Sequence, residues 1–284
     1  MKSGFVVMIG RSNVGKSTLL NALVGTKVAI TTPKPQTTRQ PLQGVLTSDE
    51  GQAVFVDTPG IMQKAKDELT KKLMRYVHDS LQDIDVILYV VDPTRAIGSE
   101  EKQTLKLIEL STKPKLLVIN KIDNKKSKRY LEFYRDLVDQ HGFDEAIEVS
   151  ALNGSNLDRL KRWIFNELPE GEFLYPAHQV SNISKEEQLS ELIREKLFLR
   201  LRDEVPYTVH VVVDEIEERK SGTLYISATI FTTEERYKRM IIGKGGRGIK
   251  EIGQATRNEL ETVTQRKIYL ELNVEVDKHW VDRI

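Results

Sequence analysis

The chain has 284 residues, 39% hydrophobic and 30% charged, with a formal net charge of +1; that is enough apolar material for one large or two modest cores, and any polyanionic partner must be met by a local patch. Cysteine is absent, which excludes disulfides, thiolate metal sites and cysteine nucleophiles together. The longest apolar runs are strand-length, such as Val86–Val91, so no segment reads as spanning a bilayer; the first strand begins within a few residues of Met1, leaving no room for a signal peptide, and a cytoplasmic location is expected.

Phe5–Ile9 predicts a buried strand and Thr18–Val24 a helix stopped by Gly25. Between them, Gly10-Arg11-Ser12-Asn13-Val14-Gly15-Lys16-Ser17 has the spacing of a phosphate-binding loop, and strand–loop–helix is the context such a loop requires. The glycines let the backbone fold around phosphates, with N–H groups pointing inward at the positive end of the helix. Lys16 is placed to reach the β- and γ-phosphates, and the Ser17 hydroxyl to ligate Mg²⁺. Thr18 completes the expected phosphate-contacting run. A glycine-containing turn with a stray Lys-Ser is the plain alternative, and the flanking elements argue against it.

Val28–Gln43 is rich in threonine and proline and reads as a long loop, which inside a compact domain is usually functional. Leu42–Thr47 and Ala53–Val56 predict strands joined by a hairpin turn at Ser48-Asp49-Glu50-Gly51. The second strand runs into Asp57-Thr58-Pro59-Gly60, where an aspartate closing a buried strand suits the Mg²⁺ carboxylate of a nucleotide-hydrolysing enzyme. Taken alone, those four residues read first as a turn. Leu69, Leu73, Tyr76 and Val77 keep helical spacing, and Val86–Val91 is a fully apolar strand. Ser99 is expected to cap a helix carrying Glu100 and Glu101 in its first turn and Leu105 and Ile108 inside. Lys115–Ile119 is the next strand and delivers Asn120-Lys121-Ile122-Asp123; an amphipathic helix over residues 127–140 follows. Ala146–Val149 is a last strand ending in Ser150-Ala151-Leu152, and Asn156–Leu168 a closing helix with Leu157, Leu160, Trp163, Ile164 and Leu168 on one side. This alternation predicts an α/β unit: a mixed, mostly parallel sheet covered on both faces, with one antiparallel hairpin at its edge. Ligands in such sheets bind at the carboxyl ends of the strands, where each polar motif falls.

Asn-Lys-x-Asp after a late strand is similar to the guanine-reading motif of Ras-like GTPases. A carboxylate at Asp123 accepts two hydrogen bonds, from guanine N1–H and the exocyclic amine, whereas adenine leaves the charge unpaired. Lys121 is expected along the base, and the Ser150-Ala151 backbone at the guanine carbonyl. The resemblance to such GTPases implies that the threonine-rich loop is a first switch, with Thr38 at the position that touches Mg²⁺ and the γ-phosphate; Thr37 is the neighbouring choice, and turn capping the plain role for either. Gly60 to about residue 66 forms the second switch, ordered by the γ-phosphate and released on hydrolysis. Where Ras-type enzymes position water with a glutamine, this chain has Ile61, so slow intrinsic turnover is expected. Asn13 has two readings: in related GTPases an asparagine here helps bind a K⁺ ion that acts like an arginine finger, or it is a local backbone hydrogen-bonder. Lys16, Ser17, Thr38, Gly60 and Asn13 form the expected catalytic set, and Ser17, Thr38 and Asp57 the metal set. His78, His141, His178, His210 and His279 are dispersed without metal-ligand spacing, and no Ser-His-Asp arrangement is present.

In the second half, residues 171–184 read as a linker containing Pro176, between a domain at 1–170 and another at 185–276, with a tail at 277–284. Ser184-Lys185-Glu186-Glu187 is a capping box for a helix reaching about Asp203. Strands follow at Thr208–Val213 and Thr223–Phe231, then a short helix at Glu234–Ile242, Gly243-Lys244-Gly245-Gly246, a longer helix at Arg247–Val263, and a strand at Lys267–Val276. This is the α+β order of a type II KH domain, whose glycine loop clamps about four nucleotides of RNA. A flexible helix–helix turn is the plain alternative. Arg236, Lys238, Arg239, Lys244, Arg247 and Lys250 cluster about that loop, the local patch a phosphate-binding face needs. Ile241, Ile242, Ile249 and Ile252 are placed to floor a groove under the bases, core packing accounting for some of them. The expected RNA set is Arg239, Ile242, Gly243, Lys244, Gly245, Gly246, Arg247 and Lys250.

The loop at 10–17, Gln36-Thr37-Thr38-Arg39, Asp57-Thr58-Pro59-Gly60-Ile61, Asn120–Asp123, Ser150-Ala151-Leu152, Val205-Pro206-Tyr207 and Met240–Gly246 together resemble the Era family of bacterial GTPases over nearly the whole chain. The resemblance implies GTP/GDP and Mg²⁺ as ligands, with K⁺ at Asn13 under the first of its readings. It also implies GTP-dependent binding to the 3′ end of 16S rRNA, a role in small-subunit assembly, and peripheral association with the cytoplasmic membrane; a monomer is expected. Ser12 replaces the proline common in this loop, and the tail is short and weakly basic. Two rivals stand beside this reading: an RNA-binding adaptor whose nucleotide site is mainly structural, and a tRNA-modifying GTPase, for which no residues remain to build a further domain.

Overall fold

The computed structural model describes residues 1–35, 37–39, 41–60 and 83–283. Two compact units emerge, one of Met1–Thr31 with Thr38–Asn182, the other of Thr32–Thr37 with Ile183–Ile284. Ile61, most of the second switch and the helical spacing at Leu69–Val77 lie outside the described residues.

The first unit is a six-stranded sheet. Its strands are β1 (Lys2–Ile9), β2 (Leu42–Ser48), β3 (Gly51–Asp57), β4 (Val86–Val91), β5 (Lys115–Ile119) and β6 (Glu145–Glu148), in the order β2-β3-β1-β4-β5-β6. All pairings are parallel except β2 with β3, so the antiparallel hairpin does sit at one edge. Alternate residues of β1, β4 and β5 feed two separate cores, because successive side chains point to opposite faces. Val6, Met8, Leu88 and Val90 pack with Leu19, Leu20 and Leu23 of α1 (Lys16–Val24) and with Leu160 and Ile164 of α5 (Leu157–Glu167). Val7, Ile9, Tyr89 and Val91 pack with Leu105 and Ile108 of α2 (Ser99–Glu109) and with Tyr134 and Leu137.

Three expectations shift here. The helix expected over 127–140 is a 3₁₀ turn, Lys125–Arg129, and two short helices, α3 (Leu131–Arg135) and α4 (Leu137–His141), which still deliver Tyr134 and Leu137 to the core. Ser99 is the first helical residue and Gly98 the cap, because Glu101 reaches back to accept the Gly98 N–H at 2.9 Å. The segment read as linker is fastened to the first unit as far as Asn182. Val45 N–H donates to Val180 O at 2.9 Å, Gln43 N–H to Asn182 Oδ1 at 2.9 Å, and Asn182 N–H to Gln43 O at 3.2 Å. An edge strand presents unpaired backbone groups, and residues 180–182 satisfy those of Gln43 and Val45 on β2.

The second unit runs α6 (Lys185–Arg200), a 3₁₀ turn at Val205–Thr208, β7 (Val209–Glu218), β8 (Leu224–Thr232), α7 (Glu235–Ile242), α8 (Arg247–Thr264) and β9 (Ile268–Val276). Ser184 caps α6 as its sequence predicts, accepting from Glu187 N–H at 3.1 Å while Ser184 N–H donates to Glu187 Oε2 at 2.8 Å. In the sheet, β8 is central, antiparallel to β7 and parallel to β9, the type II KH arrangement. Ile193, Leu197, Phe198, Val209, Ala228, Ile230, Ile241 and Ile252 form its core. The tail is anchored: Trp280 is 1% exposed and stacks on His210 at 5.7 Å, 5° from coplanar. No described helix is long and apolar enough to cross a membrane.

Candidate functional site

The loop 10–17 leaves β1 at its carboxyl end and enters α1 through Gly15 at φ 99. Only glycine fits there: a Cβ would meet Asn120 Nδ2 at 2.5 Å in addition to the backbone strain. Lys16 is buried, and its Nζ donates to Gly10 O at 3.0 Å and Arg11 O at 3.2 Å. Burial lowers the Lys16 ammonium to about 8, against the pull of the Asp57 charge. Burial likewise pushes the Asp57 carboxyl up, opposed by Lys16 and by bonds from Ser17 and Thr38.

Three oxygens converge beside this lysine. Ser17 Oγ donates to Asp57 Oδ2 at 2.6 Å, Thr38 Oγ1 donates to the same oxygen at 3.2 Å, and the two hydroxyls are 3.2 Å apart. Asp57 Oδ1 is buried with no hydrogen-bond partner among the described residues. An all-oxygen set with an orphaned carboxylate oxygen fits a hard, phosphate-bound divalent cation such as Mg²⁺. Thr37, the neighbouring choice, spends its hydroxyl locally, on Thr32 Oγ1 at 2.8 Å and Lys34 O at 2.9 Å. Thr58 is fully buried and donates to Met8 O at 2.8 Å, tying β3 to β1. Pro59 is buried beside it. Gly60 packs so closely on Ser12 that a Cβ would lie 2.5 Å from Ser12 Oγ.

The Asn120–Asp123 motif is tied to the same loop. Asn120, 2% exposed, donates from Nδ2 to Val14 O at 3.0 Å and accepts Ala151 N–H on Oδ1 at 3.0 Å. Lys121, at φ 64, donates to Asn13 O at 2.6 Å. Ser150 Oγ donates to Asp123 Oδ1 at 2.5 Å, which orients the exposed carboxylate. Ile122 N–H donates to Val149 O at 3.3 Å. Asn13 itself sits at φ 65, a left-handed conformation asparagine tolerates better than most residues. Arg11 and Val14 belong to the loop through their backbones: the Arg11 side chain pairs with Glu101 at 2.6 Å and that of Val14 enters the core.

Sequence reasoning missed Asp92. Its Oδ2 accepts from Lys121 Nζ at 2.7 Å and its Oδ1 from Thr94 N–H at 2.9 Å. The signal was available, since Asp92 follows the apolar strand Val86–Val91 directly, as Asp57 and Asn120 follow theirs.

In the second unit α7 and α8 meet at Gly243–Gly246, with φ of 72, 60 and 75 at Gly243, Gly245 and Gly246. A Cβ on Gly245 or Gly246 would meet nothing within 4 Å, so the loop is open to an approaching chain. Arg239, Lys244, Arg247 and Lys250 are exposed about it, and Ile242 is half-buried beneath. Ile241 and Ile252 are core residues rather than groove floor. Arg236 is occupied by Glu234 at 2.8 Å and lies over the Tyr237 ring. Gly248 escaped sequence analysis; a Cβ there would press to 2.4 Å from Ile241 O, so it sets the helix–helix approach.

Residues 5–121 match the family described as 50S ribosome-binding GTPase, and residues 204–281 match the KH domain family. The chain is 43% identical over 282 residues to GTPase Era of Halothermothrix orenii, covering 99% of this chain and 95% of that protein. It is 44% identical over 280 residues to GTPase Era of Carboxydothermus hydrogenoformans, covering 98% and 94%. Among solved structures, Era in complex with MgGDPNP and nucleotides 1506–1542 of 16S ribosomal RNA superposes with a TM-score of 0.93 at 39% identity, covering 100% of this chain and 96% of that one. A variant of Aquifex aeolicus Era bound to GDP and aluminium fluoride superposes with a TM-score of 0.92 at 38% identity over the same shares. With both halves matched and the identity sustained end to end, the chain belongs to the Era family of GTPases, enzymes that hydrolyse GTP and carry a C-terminal KH domain.

Proposed function

We propose that this GTPase is a guanine-nucleotide switch that governs an RNA-binding KH face during assembly of the small ribosomal subunit, with the 3′ end of 16S rRNA as its RNA. The observation that carries the reading is the coexistence in one chain of the Ser17–Thr38–Asp57 oxygen cluster and the open, basic Gly243–Gly246 loop. The relative solved with that RNA segment and MgGDPNP supports the choice of RNA.

In this mechanism the loop N–H groups bind the phosphates, Lys16 moves its ammonium from the loop carbonyls onto the β- and γ-phosphates, and Asp123, oriented by Ser150, selects guanine. Ser17, Thr38 and Asp57 would hold Mg²⁺, which neutralises phosphate charge. Thr38, with Gly60, is the part of the switches that registers the γ-phosphate. Asn13 serves the loop through its left-handed backbone, and a K⁺ ion bound through its side chain would make turnover faster in K⁺ than in Na⁺ buffer. Equal rates in the two, unaltered by Asn13→Ala, would remove the ion from the account. At the KH face, Arg239, Lys244, Arg247 and Lys250 neutralise RNA phosphates, and the glycines admit the backbone between them. The same reading has the chain act as a monomer in the cytoplasm, with peripheral contact to the membrane.

The test is binding of a single-stranded 16S 3′-end oligonucleotide, followed by fluorescence anisotropy with GTP analogue or GDP bound. Tighter binding in the GTP-analogue state is expected. Equal affinity in both states would sink the switch, and no binding would sink the RNA assignment.

A further inference from the structure

Asp92, directly after β4, and Glu101, in the first turn of α2, are two carboxylates that hold the phosphate loop from outside the nucleotide pocket. The first is Asp92, which holds Lys121 and through it Asn13 O. The second is Glu101, 2% exposed. Its Oε1 lies 2.6 Å from Arg11 Nε, the two side chains being 11% and 3% exposed. Its Oε2 accepts Gly98 N–H at 2.9 Å, which fixes the carboxylate at the start of α2. The fully buried rings of Tyr89 and Tyr134 lie in the field of the same pair.

Arg11 is the second residue of the loop, and what it fixes is the loop backbone. Arg11 O is one of the two carbonyls that accept from Lys16 Nζ. Gly10, immediately before it, is pressed on β4 so tightly that a Cβ would lie 2.3 Å from Val90 O. The entrance to the loop is therefore clamped on one side by strand packing and on the other by an ion pair. A buried ion pair is poor value for stability alone, since apolar residues of similar volume often do as well or better. What it adds over an apolar pair is a charge contact that ties the first turn of α2 to the loop, made without a hydrogen bond between Nε and Oε1.

We infer that Glu101 is a positioning residue for nucleotide binding: acting through Arg11, it holds the Gly10–Arg11 backbone in the conformation that seats Lys16 and turns the loop N–H groups toward the phosphates. The GTPase assignment says which ligand the loop takes; the Glu101–Arg11 pair sets how well preformed the loop is before the ligand arrives. Loop N–H groups hold the phosphates of GDP and GTP alike, in ground state and transition state. Loss of the pair therefore weakens both nucleotides by the same factor and acts mainly on KM.

Two variants test this. Arg11→Lys keeps the charge but replaces the rigid guanidinium fork with a point charge on a flexible stem. The double variant Arg11→Met with Glu101→Leu removes the pair while filling its volume, so the fold survives without the clamp. Both are expected to raise the dissociation constants for GDP and GTP by about tenfold, and KM by a similar factor, with kcat falling no more than about threefold. Melting without nucleotide should leave the double variant within a few degrees of the parent. A folded double variant that binds GDP and GTP within twofold of the parent would overturn the inference, leaving a purely structural pair. If the double variant does not fold, Arg11→Lys decides by the same twofold criterion.

Discussion

Replacement of Gln52 by methionine probes how the segment after Pro169 is held to the GTPase unit. Gln52 is 0% exposed, and its amide uses both ends. Nε2 donates to Thr47 Oγ1 at 3.0 Å and to Tyr175 O at 2.9 Å; Oε1 accepts the N–H groups of Leu174 and Tyr175, each at 2.8 Å. Methionine keeps the length and removes all four bonds. At a net value of about 1 kcal/mol each, the upper estimate is about 4 kcal/mol. Three of the four partners are backbone groups on an exposed strap, where Leu174 is 47% exposed, and they regain water on release. The expected loss is therefore about 2–3 kcal/mol, which shifts local opening of the strap roughly 30- to 150-fold. Urea unfolding measures the first quantity, and amide hydrogen exchange at Leu174 and Tyr175 the second. A loss below about 1 kcal/mol with both amides as protected as in the parent would refute the reasoning, and would mean that the remaining contacts, Gly171 N–H to Met1 O and those of Val180 and Asn182 among them, hold the strap.

Lys244→Asp with Gly245→Asp is expected to weaken RNA binding by at least tenfold without altering GTP affinity, and to flatten the salt dependence by roughly 0.7 log unit per lost phosphate contact; unchanged RNA binding would place the RNA elsewhere. Asp92→Asn should cost about 1–2 kcal/mol of stability and weaken nucleotide binding through Lys121, both readable by melting with and without GDP. Burial opposes ionisation of Asp92, yet the bonds from Lys121 and Thr94 outweigh it and hold the carboxyl below its ordinary 3.8. A depressed folded-state pKa stabilises above the unfolded value and fades as pH falls through the folded one, so the gap between parent and variant should be flat from pH 7 to about 5 and narrow below about 4. Trp280→Ala removes a ring that is 1% exposed and stacked on His210, for an expected loss of about 3 kcal/mol in urea unfolding of the full chain; a loss under about 1 kcal/mol would show that the tail is not anchored by this residue.

Much of the molecule is legible along the chain because its determinants are local. Continuous apolar runs become central strands wherever both faces are covered, which is why Val86–Val91 and Lys115–Ile119 appear with the bounds their composition predicts. The phosphate-binding loop is read from its two glycines, Gly15 at a left-handed backbone position and Gly10 where a Cβ would strike Val90 O, and Ser184 with Glu187 from a capping box that closes within four residues. The helix over 127–140 is the local failure: its apolar spacing is helical and delivers the expected core residues, but spacing does not report a break in the backbone.

What the sequence by itself determined is therefore the order of the elements, the GTPase motifs including Asn120–Asp123, and the glycine loop of the KH domain, since each depends on residues adjacent in the chain. The sequence favours Thr38 over Thr37, and the tertiary structure places the Thr38 hydroxyl against Ser17 and Asp57 while Thr37, one residue of register away, spends its own on a local turn. Only the tertiary structure showed that residues 180–182 pair along the edge of β2 while Leu174 and Tyr175 bind Gln52 of β3, that Trp280 folds back on His210, and that Asp92 and Glu101 reach the phosphate loop through Lys121 and Arg11. These contacts join residues far apart in sequence. Their partners are chosen by unsatisfied backbone groups and buried charge, which exist only once the chain has folded.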